Sequence, residues 1–276
     1  MTKPAHGLWI DDAPREVAKP DYWAKLKDHG ISVAAVMLES VSAGFDPRYT
    51  LAELGVLGNL ARRADIELVL TVWPEPRPHY LAQLVEKIPP ILRASGATAL
   101  EFDAESNFTR KRVAGFKNLE EAAEATAQVL IKFRDLAIRS ELTTFTMHSE
   151  NSKSAQLADD VDRLLPQAYS VRNRKDAKGD PLTIEWGGAY GPGAMQRLTL
   201  NRALEVPRKE NGKPELSCGL AAYDQEWPGH TGEDAMRVAY EAALTYSPKE
   251  IRWWSSKWVV GGVAKAYASR FLRSIA

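Results

Sequence analysis

A single cysteine, Cys218, is all the chain contains, so no intrachain disulfide can form and the fold does not depend on an oxidising compartment. Neither sign of charge is in excess: 36 basic residues stand against 36 acidic ones, which removes the electrostatic reason to expect a nucleic-acid partner. No apolar run approaches the roughly 18 residues that cross a bilayer, so membrane insertion is not expected. The stretch from Met1 to Gly7 lacks the apolar core of a secretory signal, and a cytoplasmic product is the expectation. The five histidines, His6, His29, His79, His148 and His230, form no metal-ligand spacing, and no H-E-x-x-H or cysteine cluster occurs. No metal and no cofactor are therefore expected. Ser149 lacks a G-x-S-x-G setting, which argues against a serine hydrolase. There is no internal repeat, low-complexity tract or linker that would divide the 276 residues.

What is present is a recurring alternation of short apolar runs and helical patterns. Strands are expected at Gly7–Asp12, Ile31–Glu39, Ile66–Trp73, Ala97–Glu105, Leu142–His148, Leu165–Tyr169, Leu216–Tyr223 and Ile251–Ser255. Helices are expected between them: Asp21–His29 with Asp21 as cap, a helix capped by Thr50, and one carrying Leu81, Leu84, Val85 and Ile88 that Pro89 and Pro90 disturb. Further helices fall at Asn118–Ser140, Ser154–Leu164, Ala194–Val206, from a Thr231–Asp234 capping box to Tyr246, and Val263–Ile275. Residues 171–193 are polar and glycine-rich, a loop excursion. Eight strand–helix units with strands apolar on both faces fit a single α/β domain, a (β/α)8 TIM-type barrel spanning residues 1–276. A doubly wound open sheet would usually carry a Gly-rich phosphate turn after its first strand, and none follows Asp12.

Barrel enzymes place their chemistry at the C-terminal ends of the strands. Those ends carry Asp11 and Asp12, Glu39, Trp73, Asp103 and Glu105, His148, Gln167 and Tyr169, Asp224 and Trp227, and Trp254. The rim is acidic and aromatic. Aromatic faces stack on sugar rings, and carboxylates supply the acid, base or nucleophile of glycosidic cleavage. The densest point is Leu100-Glu101-Phe102-Asp103-Ala104-Glu105, whose three acids at spacing two share one strand face. Like charges on a buried face are costly unless paired, protonated or used. Glu105 at the mouth is the expected general acid, its pKa raised by crowding from Asp103 and Glu101, with Asp103 ionised beside it. Glu101, one layer deeper, either joins the site or is a structural carboxylate paired with an Arg or Lys. Alternation lets only one of Asp11 and Asp12 face inward, and splits Trp253 from Trp254, one of them packing against a helix. Cys218 reads as core.

Residues 7 to 105 resemble the N-acetylmuramidases of glycoside hydrolase family 25. The segment Asp21-Tyr22-Trp23-Ala24-Lys25-Leu26-Lys27-Asp28-His29-Gly30-Ile31 has the form of that family's first helix and second strand. Glu39, the Asp46-Pro47-Arg48-Tyr49 step and the Asp103-Ala104-Glu105 strand end match it as well. The resemblance implies Glu105 as general acid, Asp103 as electrostatic partner, and Asp11 or Asp12 completing an acidic ring. It departs at Val72-Trp73-Pro74, where the family usually has a Tyr-His pair, and at Gln167 and Tyr169, where a further aspartate is expected; Asp224 is a substitute. The chain is also similar, more weakly, to family 18 chitinases, whose D-x-x-D-x-D-x-E strand is matched in its last three places by Glu101, Asp103 and Glu105, while Thr98 takes the first. Those enzymes use the substrate's own acetamido group as nucleophile. Both likenesses imply an N-acetylated sugar polymer and Glu105 as acid.

The expectation is thus a monomeric hydrolase of peptidoglycan or a related glycan, reaching the cell wall on release, as a phage endolysin does. Its rivals are a chitinase-like hydrolase and a non-catalytic glycan-binding barrel. An aldolase-type barrel would want a strand-end lysine, for which Lys257 alone qualifies.

Overall fold

Strands that are apolar on both faces need helices outside and a filled interior, and the chain supplies both. The computed structural model describes residues 3–39, 44–109, 113–134, 136, 138–144, 153–169, 193–205, 214–222, 232–261 and 264–276. The strands are β1 (Ala5–Ile10), β2 (Val33–Met37), β3 (Glu67–Val72), β4 (Ala99–Asp103), β5 (Arg139–Thr144), β6 (Arg163–Pro166), β7 (Glu215–Leu216), β8 (Cys218–Ala221) and β9 (Glu250–Trp254). They pair in parallel in the order β7-β6-β5-β4-β3-β2-β1-β9-β8. β7 and β8 flank Ser217 and together make one barrel strand. The Ser217 N–H donates to the Leu164 carbonyl (2.9 Å), the Ala168 N–H to the Gly219 carbonyl (2.8 Å), and Gln167 bridges Gly219 in parallel. These links stitch β6 to β8 and close the ring, so the architecture is the (β/α)8 TIM-type barrel.

Helices α1 (Pro14–Val17), α2 (Pro20–Asp28), α3 (Leu51–Arg63), α4 (Pro78–Ser95), α5 (Leu119–Arg134), α6 (Ala194–Glu205), α7 (Gly232–Leu244), α8 (Ser256–Val259) and α9 (Ala266–Ile275) surround it. Thr50 caps α3 in a capping box with Glu53, as the sequence indicates. Other expectations are corrected. α2 starts at Pro20, whose fixed φ suits the first helical position, so Lys19 is the cap residue and Asp21 lies in the first turn. α4 runs unbroken through Pro89 and Pro90, because buried Leu84, Ile88, Ile91 and Leu92 hold one continuous face on both sides of the pair. The long helix stops at Arg134, Leu136 is 37% exposed, and Arg139 and Ser140 already belong to β5. Ser154–Asp160 is a 3-10 turn, and Leu164 lies in β6, where Arg163 is drawn inward by ion pairs to Glu141 and Glu250. Thr231 of the expected capping box and residues 171–192 of the expected excursion lie outside the described residues.

The barrel interior is polar at its floor. Arg252, fully buried, binds Glu141 (2.8 Å), Glu250 (2.7 Å) and Glu101 in one fan. Arg139 and Arg163 add contacts to Glu141 (2.7 Å) and Glu250 (2.8 Å). Two glycines make the room. A Cβ on Gly7 would stand 2.1 Å from Glu250 Oε1, and one on Gly219 would stand 2.7 Å from the Trp9 ring. Outside the barrel, Leu8, Ile10, Val36, Leu70, Phe102 and Trp253 pack against the helices in the main core.

Candidate active site

β4 delivers its acids at two depths. Glu101 faces Glu141 directly across the strand pair, so two like charges share one layer of the interior. They are tolerated because Arg252 bridges them. Glu101 Oε1 also accepts from Trp9 Nε1 (2.7 Å) and Thr71 Oγ1 (2.8 Å). Burial pushes the Glu101 carboxyl up and Arg252 works against it, and all three neighbours are donors, as an ionised carboxylate requires. Glu101 is 0% exposed and has no surface to offer a substrate. Of the two readings open to Glu101, the structure shows the arginine-paired one.

Asp103 and Glu105 form the next layer. Asp103 closes β4, and the ladder continues one residue further, with the Ala104 N–H on the Thr143 carbonyl (2.9 Å). Asp103 is buried, whereas Glu105 is partly open. Their side chains are hydrogen-bonded to each other, and among the described residues no cation neutralises them. Gln167 donates to Asp103 Oδ1 (3.0 Å) and also serves Glu105. Burial, then the charges of Glu105 and Glu101, push Asp103 far above the usual carboxylate range. Burial raises Glu105 to about 7, against the pull of hydrogen bonds from Gln167 and Asp103. Two expectations change here. Crowding does not raise Glu105, since Asp103 acts on it as a donor. Asp103 is also not the ionised member; it holds the proton that it shares with Glu105.

The Glu105 backbone is fixed by a residue the sequence reading overlooked. Its N–H donates to Asn107 Oδ1 (3.0 Å), and buried Asn107 donates in turn to the Pro74 carbonyl, tying the end of β4 to the end of β3. No signal beyond a polar residue in a strand-end turn marks Asn107 in the sequence.

Glu39 ends the β2 side as a buried carboxylate with no cation partner among the described residues. It accepts from the Trp73 N–H (3.0 Å) and from the Tyr80 hydroxyl of α4, and Tyr80 also donates to the Trp73 carbonyl (2.9 Å). Burial raises Glu39 to about 7. Trp73 is partly exposed beside it. On the opposite side, Asp11 continues the interior phase of Gly7 and Trp9. It pairs with Lys257 (3.2 Å) and with Ser256 Oγ (3.3 Å). Asp12 accepts from Ser256 Oγ (2.6 Å) and Tyr22 (2.7 Å), while Arg48 holds its carbonyl (3.1 Å). The two aspartates thus converge on Ser256 of α8, and no hydrogen bond or ion pair among the described residues links them to Asp103 and Glu105. Trp254 faces inward, its ring 6.0 Å from Trp9, and Trp253 packs outward on Tyr240 and Phe271. Tyr169 is half-buried just beyond β6. His148, Asp224 and Trp227 lie outside the described residues.

The arrangement brings Asp103, Glu105 and Gln167 together, seats Glu39 with Trp73, and groups Asp11 with Asp12 at a third position on the rim. Arg252 was missed, although a charge between Ile251 and Trp253 in an apolar strand is a legible signal. Among the described residues no cluster of His, Cys, Asp and Glu is suited to hold a metal ion. No helix among them is long and apolar enough to cross a membrane.

No protein-family model matches the chain, and no curated relative matches it in sequence. Solved structures share its architecture. A family 18 chitinase from Pseudoalteromonas aurantia superposes with a TM-score of 0.59 at 12% identity, covering 98% of this chain and 99% of the other. The spore cortex-lytic enzyme SleL of Bacillus cereus gives 0.59 at 12% identity, over 98% of this chain and 74% of that one. A xylanase–alpha-amylase inhibitor protein, XAIP-I, solved with trehalose, gives 0.61 at 12% identity over 98% of both chains. At such identities the likeness is one of fold.

Proposed function

We propose that this protein is a glycoside hydrolase acting on an N-acetylhexosamine polymer, with peptidoglycan as the foremost substrate. The observation that carries the reading is the hydrogen-bonded Asp103–Glu105 pair at the C-terminal end of β4. Glu105 is the acid. Below about pH 7 it is protonated and partly open to the barrel mouth, where a glycosidic oxygen can take its proton. The carboxylate left behind accepts hydrogen bonds from Asp103 and Gln167, which stabilise it as the bond breaks.

The same pair limits the mechanism. Two carboxyls in hydrogen-bond contact are far closer than the ~5–5.5 Å of a retaining acid–nucleophile pair or the ~6.5–9.5 Å of an inverting pair. Asp103 is therefore not the nucleophile in this reading. A protonated Asp103 is suited to orient the substrate's acetamido group, which can itself attack the anomeric carbon. This supports a substrate-assisted course, in keeping with the family 18-like end of β4. Two of the proteins that share its fold, by their descriptions a chitinase and a spore cortex-lytic enzyme, support a glycan as the substrate class. The family 25-like segment from Asp21 to Ile31 favours the muramyl polymer over chitin. The enzyme acts as a monomer that is made in the cytoplasm and meets its polymer on release.

The rival is a barrel that binds glycans without cleaving them, and the inhibitor solved with trehalose is its counterpart among the related folds. Mass analysis of purified peptidoglycan and of chitin after digestion separates these readings and names the bond. Release of new reducing ends by the wild type, falling at least about 100-fold in Glu105→Gln, is the expected result. A Glu105→Gln protein that cleaves at the wild-type rate would refute the assignment.

A further inference from the structure

Four strand positions around the barrel from β4 stands β9, so the residues that follow β9 face the Asp103–Glu105 pair from across the mouth. There α8 carries a cationic feature for which the acid pair has no use. Lys257 Nζ lies 5.6 Å from the centroid of the Trp258 ring, and Lys265 Nζ lies 5.8 Å from the same centroid. Lys257 is also anchored by Asp11 at 3.2 Å, and the Lys265 N–H donates to the Trp258 carbonyl at 2.7 Å. The indole and the backbone therefore hold two ammonium groups at one place on the rim. Two like charges gathered on one ring repel each other, and the ring alone offsets only part of that repulsion. One aspartate answers Lys257. Among the described residues no carboxylate lies within ion-pair distance of Lys265, which is exposed. Arg48, held on the Asp12 carbonyl at 3.1 Å, adds a third cation to this side and likewise has no ion pair among the described residues. The mouth is thus divided, with carboxyls after β4 that no described cation pairs and, after β9, three cations against Asp11 and Asp12.

We propose that Lys257 and Lys265, seated on Trp258, form a subsite for a carboxylate carried by the glycan several sugars away from the cleaved bond. This rests on the glycoside hydrolase reading above and narrows it, because the polymer must then bear acidic groups. A neutral chitin chain has none to offer, whereas a lactyl ether on the sugar or a uronic acid does. An ammonium pair meets a carboxylate by charge-assisted hydrogen bonds without bidentate geometry, so the subsite selects charge more than shape.

The experiment is calorimetric binding to the full-length Glu105→Gln protein, which is not expected to turn over its ligand. Two oligosaccharides of equal length are compared, one of alternating N-acetylglucosamine and N-acetylmuramic acid, the other of N-acetylglucosamine alone. The acidic ligand is expected to bind about tenfold tighter at low salt, with the gap shrinking as ionic strength rises. Adding Lys265→Met should close most of that gap while affinity for the neutral ligand stays within about twofold, and Lys265→Glu should reverse it. An oligouronate of the same length identifies the source: a preference for the muramyl ligand assigns the lactyl carboxylate, and a preference for the uronate assigns the ring carboxylate. Equal affinity for the acidic and neutral ligands overturns the subsite. So does an equal loss of both on Lys265→Met, or no binding of either at millimolar concentration. A carboxylate preference in a native chain that cleaves neither polymer would break the hydrolase reading and leave the subsite standing.

Discussion

Glu101 and Asp103 lie two residues apart on one strand, face the same interior and are both buried, yet their chemistry diverges. Glu101 meets a fixed guanidinium and two neutral donors. Asp103 meets an amide and another carboxyl, and keeps a proton. The difference is one layer of barrel. At the floor, three arginines and the fully buried Glu101, Glu141 and Glu250 balance, which lets the barrel hold charge without water. At the end of β4 no cation among the described residues pairs with the carboxyls, and burial itself turns them into acids. The floor spends its charge on architecture and the mouth keeps protons available for chemistry.

The sharpest way to break that contrast is at the floor. Arg252→Met leaves Glu101, Glu141 and Glu250 facing one another with two partial partners. It should cost about 3–5 kcal/mol of folding stability, read by urea denaturation, and yield little soluble protein. Glu101→Gln should cost far less, because its amide oxygen still accepts from Trp9 and Thr71 and Arg252 retains two glutamates. If Arg252→Met melts like the wild type, the floor is not the structural element described here. Glu105→Gln tests the mouth with the opposite signature: hydrolysis should fall by about 100-fold to 10,000-fold while the urea midpoint stays within about 1 kcal/mol of the wild type.

This division was half legible in the sequence. The barrel was legible because eight apolar runs at even spacing admit few architectures, and alternation alone put Glu101 and Asp103 on one face and split Trp253 from Trp254. Glu101 stayed ambiguous because its partner is 151 residues away. No local pattern in Glu250-Ile251-Arg252 says which carboxylate that arginine will meet. The proton on Asp103 is not legible for a related reason. Spacing indicates that two acids are close, but only burial depth and the Gln167 amide decide which of them keeps the proton. Pro89 and Pro90 misled in the other direction, since local propensity was outweighed by packing on either side of them.

Glu39 extends the contrast to a further carboxylate with no cation partner among the described residues. It sits at about 7 when folded, against an ordinary value of 4.5, so between those limits the folded state keeps a proton that the unfolded chain releases. Its contribution is complete below pH 4.5 and is lost as pH rises through 7, by about 3 kcal/mol at 1.36 kcal/mol per pH unit. Glu39→Gln keeps acceptors for Tyr80 and the Trp73 N–H but cannot ionise. Its stability should therefore gain on the wild type by about that amount between pH 4.5 and pH 8, measured by urea denaturation at both. Parallel curves for the two proteins would mean that Glu39 is solvated rather than buried.

The smallest expected effect is also the most specific to the mouth. Activity needs the protonated Glu105, so its rate should decline as pH rises through about 7. Gln167 holds that value down by donating to the charged form, and it does the same for Asp103. Gln167→Ala removes both bonds. The alkaline limb of the pH–rate profile should therefore move upward, by about half a unit to one unit, while the maximal rate drops because the carboxylate left on Glu105 loses a donor. A merely structural glutamine would lower the rate without moving the limb. A limb that moved downward would mean that Gln167 serves the neutral acid instead, and the proton order of the pair would have to be reversed.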